Sequence, residues 1–263
     1  MAFVEKVRQR QQNHFFRRPE SRYKLDPPLT EHGKVTASMT AMGILRNKLP
    51  FKIIYCAPEM ASVQTANTVS LASKKKQIPI RIEPALANWR GFIKFYDGPQ
   101  YWESKEYYSK LGYNIDLEYQ EFLKESEILQ EESARDFLQR KLDFFSKIVD
   151  ENLYECVLII GHAATVCMAA DGNWDSKTQL LDIERSGMPC SVHGIHLGPD
   201  GEHSHLSRPT LPFTPTLFDA QERAKKSMVS EREKPKKRYV KSFGLSNDSG
   251  SSEEDSSDQN TSQ

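Results

Sequence analysis

Residues 156–166 read CVLIIGHAATV, with Gly161 and His162 closing the apolar run. Five apolar side chains in a row, without alternation, predict a strand over 156–160 covered on both faces at the centre of a parallel sheet. The small residues after His162 predict a helix start. A second stretch, IIYCAPEMASVQTANTV from Ile53, has the same form. Its predicted strand, 51–56, runs into a turn at Pro58 and then a helix over 62–74 carrying Gln64, Thr65 and Ala66. Further strands are expected over 78–82 and 189–197, and helices over 31–48, 132–151 and 176–184. In the helix over 132–151, the pattern puts Phe137, Leu138, Leu142, Phe145, Ile148 and Val149 on one face. Strands alternating with helices predict an α/β fold, a mainly parallel sheet flanked by helices. Ligands of such folds gather at the carboxyl ends of the strands.

The chain has 263 residues, 36 Lys+Arg against 36 Asp+Glu, and 38% hydrophobic residues. The low apolar fraction implies a polar segment diluting an ordinary domain. Composition changes near residue 215, so a domain over 1–215 and a disordered charged tail over 216–263 are expected. Residues 222–241 hold nine basic residues against three acidic, and 248–258 hold five acids and no base. The tail cancels itself in the net charge; its acidic, Ser-rich part extends over 248–263. The basic run Lys234-Pro235-Lys236-Lys237-Arg238 fits a nuclear-import signal, a nucleic-acid contact or a solvated linker. Apart from that run, zero net charge argues against a nucleic-acid binder. There is no apolar run of about 18 residues, so no membrane span is expected. The N-terminus lacks the apolar core of a secretory signal, and the four cysteines are widely spaced. An intracellular setting, cytoplasm or nucleus, is expected. No metal site and no cofactor are expected: His193 and His196 on a strand would point to opposite faces, and no Cys or carboxylate pattern supports a site with them or with His203 and His205.

A third stretch, DPPLTEHGKVTASMTAMGIL over 26–45, completes an ordered set with the first two. Together they resemble the histidine phosphatase superfamily, the phosphoglycerate mutase-like fold. That family shows D-x-P-L-T-x-x-G-x-x-x-A, then S-P-x-x-R-x-x-Q-T-A, then a strand ending in G-H. The subgroup that looks most similar is the phosphatase domain of the ubiquitin-associated and SH3-domain-containing proteins. The segments at 84–89 and 112–116 carry that likeness, which covers roughly residues 1–213. Dimers are common in that subgroup, so the resemblance implies a homodimer.

The resemblance implies a fixed set of roles. A His in an R-H-G motif attacks phosphorus, two Arg and a second His neutralise the phosphoryl charge, and a Glu supplies the leaving group's proton. Here the second His is His162. The Arg expected three residues after Pro58 is Ala61. The acid falls on Asn88, which cannot donate a proton as an acid does. R-H-G is absent. Two N-terminal alignments are open. In the compact one, Arg8 precedes Gln9 at the nucleophile position, and Gln is not nucleophilic at phosphorus. In the other, this chain lacks the family's first strand. Arg90 is a candidate remaining anion contact. The aromatic cluster from Trp89 to Tyr108 is expected to pack as a subdomain over the site.

The expectation is therefore a catalytically inactive histidine phosphatase-like protein, a pseudophosphatase that binds a protein partner. Arg8, Gln9, Ala61, Asn88, Arg90 and His162 form the remnant of its phosphate site, with weak anion binding at most. The alternatives are an active phosphatase for phosphoesters or phosphoproteins, and a nuclear adaptor working through its tail.

Overall fold

The structure is a computed structural model that describes residues 20–73, 77–92, 101–152, 155–171, 188–198 and 203–206. The chain divides into Met1–Thr214 and Pro215–Gln263, and every described residue lies in the first unit. The expected tail, the helix over 176–184, and Arg8 and Gln9 fall outside the described residues.

Chain order begins with α1 (Glu20–Leu25) and α2 (Glu31–Arg46). Thr30 sets the start of α2: its side chain accepts from the Gly33 amide, satisfying a donor the helix cannot use itself. Strand β1 (Ile54–Cys56) follows, then α3 (Met60–Ala72) and β2 (Ile80–Ile82). Short 3-10 turns at Pro84–Leu86 and Arg90–Phe92 lead on to α4 (Lys105–Lys110). After a further 3-10 turn at Glu125–Glu127 come α5 (Ala134–Glu151), β3 (Leu158–Ile160) and α6 (Ala163–Asp171). An antiparallel hairpin, β4 (Ile195–Leu197) with β5 (His203–His205), closes the described set. The strand expected over 189–197 is thus three residues long, with Pro189 in a turn before it.

The main sheet is parallel, in the order β2-β1-β3. Ile54 lies opposite Ile80 and Leu158, and Cys56 opposite Ile82 and Ile160. These residues share one face with Ala41 and Ile44 of α2 and with Met60, Val63, Ala66 and Val69 of α3. Tyr55 and Ile159 point to the other face, where Phe144 and Ile148 of α5 cover them. Helices on both faces explain why the strands read as unbroken apolar runs. Sequence placed 156–160 at the sheet centre. Among the described residues the centre is β1, which is wholly buried, and β3 beside it is only half-buried. Next to β2, the segment around Asn114 and Ile115 extends the sheet: the Ile80 amide donates to the Asn114 carbonyl, and the Asp116 amide to the Ile80 carbonyl.

The inward face of α5 differs from the expected stripe. Phe137, Leu138, Phe144 and Ile148 are buried as the 3.6-residue period requires, but Leu142 and Val149 are exposed. Arg140 and Lys141 take inward positions, and Lys141 has no exposed surface. Its Nζ donates to the carbonyls of Leu86 (2.7 Å) and Ala87 (3.0 Å) and to Thr165 Oγ1 (3.2 Å). Arg140 pairs with Glu132 and donates to the carbonyls of Ala85, Ala87 and Asn88. A buried cation is tolerated only where each donor is met, and here both cations meet backbone carbonyls of one loop, 85–88. Among the described residues no helix is long and apolar enough to cross a membrane.

Candidate functional site at the carboxyl ends of two strands

Strands β1 and β3 are neighbours, but the chain leaves them toward opposite faces. After β1 it enters α3, which packs on the α2 face. After β3 it enters α6, whose Ala164 and Met168 pack with Trp89 and with Phe137 and Leu138 of α5. Two adjacent strands whose connections diverge leave a crevice at their carboxyl ends, the usual ligand position of such a sheet. The residues at those ends are Ala57-Pro58-Glu59 after β1 and Gly161-His162 after β3. The Ala57 amide donates to the Ile160 carbonyl at 2.9 Å and locks the two ends together. Gly161 is required there: a Cβ would lie 2.6 Å from Thr165 Oγ1 and 2.9 Å from Thr165 Cβ.

Two motif residues brace this end of the sheet rather than enter the chemistry. Asp26 is buried, and its Oδ1 accepts from the Met60 amide at 2.6 Å, taking up one free donor at the start of α3. Gln64 Oε1 accepts from the Leu29 amide at 2.7 Å. The segment at 26–30 and the first two turns of α3 are thereby tied across more than thirty residues of chain.

Glu59 is the N-cap residue of α3, yet its side chain makes no capping bond. Its carbonyl accepts from Ser62 and Val63, and the carboxylate turns away into the site. The residue is 5% exposed. Oε1 accepts from the Asn88 amide (2.7 Å) and the Tyr101 hydroxyl (2.8 Å). Among the described residues Oε2 is buried without a hydrogen-bond partner and lies 3.9 Å from His162 Nδ1, which is likewise buried and unpartnered. Burial first, and then the Glu59 carboxylate, raise the Tyr101 phenol far above its ordinary value, so it acts as a donor to Glu59. The same two causes raise the Cys56 thiol.

Of the residues predicted for the site, the structure brings His162 and Asn88 together, with Glu59 between them. His162 starts α6, its carbonyl accepting from Thr165 and Val166. The Asn88 side chain is turned onto its own neighbour, Oδ1 accepting from the Trp89 amide at 2.8 Å. Ala61 stands in the first turn of α3, half-buried. Arg90 opens a 3-10 turn, and its charge acts on Glu125. The aromatic cluster packs as expected in its described part: Trp89, Tyr101, Trp102 and Tyr108 are buried. His193 Nε2 and His205 Nδ1 are 2.8 Å apart, while His196 lies opposite Ser204 in the β4–β5 register.

Sequence reading missed Glu59 and Tyr101 as site residues. The signal for Glu59 was present: an acid between Pro58 and Ala61, where a helix start would be expected to receive an anion. For Tyr101 there was none, because one hydroxyl among many packed aromatics has no distinguishing spacing.

The family profile described as "Histidine phosphatase superfamily (branch 1)" matches residues 17–206, well over half of the chain. The protein belongs to the histidine phosphatase superfamily. Among solved structures it is similar to the ecdysone phosphate phosphatase EPPase from Bombix mori, determined in complex with tungstate. That match has a TM-score of 0.58 at 21% identity and covers 74% of this chain and 77% of the other, a likeness of fold. No curated protein matches the chain.

Proposed function

We propose that this chain is a catalytically inactive member of the superfamily, a pseudophosphatase that acts by binding a protein partner. The observation that carries the reading is the charge beside His162. A phosphoryl site needs guanidinium groups and a proton donor around the phosphorus. Here position 61 is Ala, position 88 is Asn, and a buried carboxylate stands 3.9 Å from the remaining histidine. One unit of negative charge brought within about 4 Å of a carboxylate is repelled by roughly 4 kcal/mol at an effective dielectric near 20. That is about three powers of ten in affinity. The likeness to the phosphatase domain of ubiquitin-associated and SH3-domain-containing proteins fits an intracellular protein with protein partners, and a homodimer.

The competing reading, an active phosphatase, is favoured by His162 at the end of β3 and by the likeness of fold to ecdysone phosphate phosphatase. Hydrolysis of p-nitrophenyl phosphate by the full chain separates the two. The inactive reading expects no turnover above that of His162→Ala. It also expects the triple substitution Gln9→His, Ala61→Arg, Asn88→Glu to gain activity under the compact alignment. Turnover by the unmodified chain that disappears with His162→Ala would sink the inactive reading. The charge blocks of the tail favour a further reading, an adaptor that binds through residues 216–263. A chain ending at residue 215 would then lose its partners, whereas partners of the folded domain would stay bound.

A further inference from the structure

Resting on that reading, we propose that Glu59 is a built-in anion: its carboxylate fills the site beside His162 and is the residue that excludes phosphate. Four observations converge on it. It is 5% exposed, so it is not a surface acid that solvent would screen. As the N-cap residue of α3 its backbone holds the helix start, yet its carboxylate is not spent on capping and is directed into the site. Its Oε1 takes two donors, the Asn88 amide and the Tyr101 hydroxyl, which a bound oxyanion would otherwise use. Its Oε2 is unpartnered and faces the unpartnered Nδ1 of His162 at 3.9 Å.

A carboxylate and one edge of a phosphoryl group make similar demands. Each presents oxygens to amide and hydroxyl donors and to an imidazole. Glu59 meets those demands intramolecularly, with no loss of translational freedom, so an incoming phosphate must displace it as well as overcome its charge. The neighbouring Ala61 removes one of the two guanidinium groups that the family resemblance implies to offset the penalty. Glu59 and the Ala at position 61 thus act in one direction. The arrangement assigns to this site the exclusion of phosphate and of other tetrahedral oxyanions.

The test is binding of inorganic phosphate and of tungstate to the full chain, by isothermal titration and by the imidazole resonances of His162. Four proteins are compared: unmodified, Glu59→Gln, Glu59→Ala, and Glu59→Ala with His162→Ala. The expected result is binding at least about tenfold tighter to Glu59→Ala than to the unmodified chain, with loss of the gain when His162 is also replaced. Phosphate should move the His162 resonances in Glu59→Ala and leave them in place in the unmodified chain. Glu59→Gln keeps the size of the side chain and removes its charge, so it should also gain affinity; it serves if the alanine variant does not fold. Equal affinity of the unmodified chain and both variants would overturn the inference. So would a gain in affinity that survives the loss of His162. The two failures are distinguishable. An inert unmodified chain whose Glu59 variants gain no affinity sinks this inference alone. Turnover of aryl phosphate by the unmodified chain sinks the inactive reading and with it the exclusion, because a site that hydrolyses a phosphoester admits one.

Discussion

Glu83 and Glu59 are both buried acids, but their oxygens meet different surroundings. Glu83 has no exposed surface, and four donors converge on it: the amides of Ala85, Phe122 and Leu123 and the hydroxyl of Tyr119. It organises the turn after β2, whereas Glu59 keeps one oxygen unmet. Burial still outweighs the four donors at Glu83 and raises its proton affinity above the ordinary glutamate value. A raised acid favours the folded state while it is protonated. Its contribution is complete below the unfolded-state value and is lost as pH rises through the folded one. Unfolding by urea at several pH values, compared with Glu83→Gln, should therefore show the unmodified chain gaining on the variant as pH falls from neutral into that range. A difference that does not change with pH would mean that Glu83 is not shifted.

At the scale of elements, α5 holds the site loop by hydrogen-bonded cations as well as by apolar contact. Its register puts Lys141 between Phe137 and Phe144, with its ammonium on the carbonyls of Leu86 and Ala87, just ahead of Asn88. Lys141→Met keeps the aliphatic stem and removes every donor. The expected cost is about 1–3 kcal/mol, from carbonyls left without a partner in the interior. Amide hydrogen exchange should speed up at Asn88 and Trp89, and an unchanged urea midpoint would show that the ammonium holds nothing. This helix also shows where sequence reading ran out. Its ends were legible within about two residues, because Ser133 and Asp136 form a capping box and the period is strong. Its inward face was not, because pattern reading puts charged residues outside, and Arg140 and Lys141 are inside through carbonyl partners 52 to 55 residues away in sequence.

For the whole molecule, parallel order and two-sided cover followed from the apolar runs at 53–56 and 156–160, and the site's position followed from the strand ends. What remained hidden was which of the described strands is central, and that an acid faces His162; both depend on contacts between segments with no shared period. Cys56 offers a probe at this scale. It is the last residue of β1, wholly buried, with its thiol proton held by burial and by Glu59. A thiol of that kind is inert until the sheet opens. Alkylation by iodoacetamide, followed by peptide mass spectrometry across a urea series, should label Cys56 only as the molecule unfolds. Labelling in native buffer at the denatured rate would mean that the two faces of the sheet part far more readily than their packing implies.

Asp26 and Gln64 join the strand-end turn, the start of α3 and the segment before α2 through two short hydrogen bonds. The letters most useful for placing this chain among its relatives are thus masonry. They keep their task whether or not a phosphoryl group ever arrives, so a chain that abandons the reaction still needs them. A search built on those letters sorts proteins by architecture, and says little of the chemistry at the strand ends.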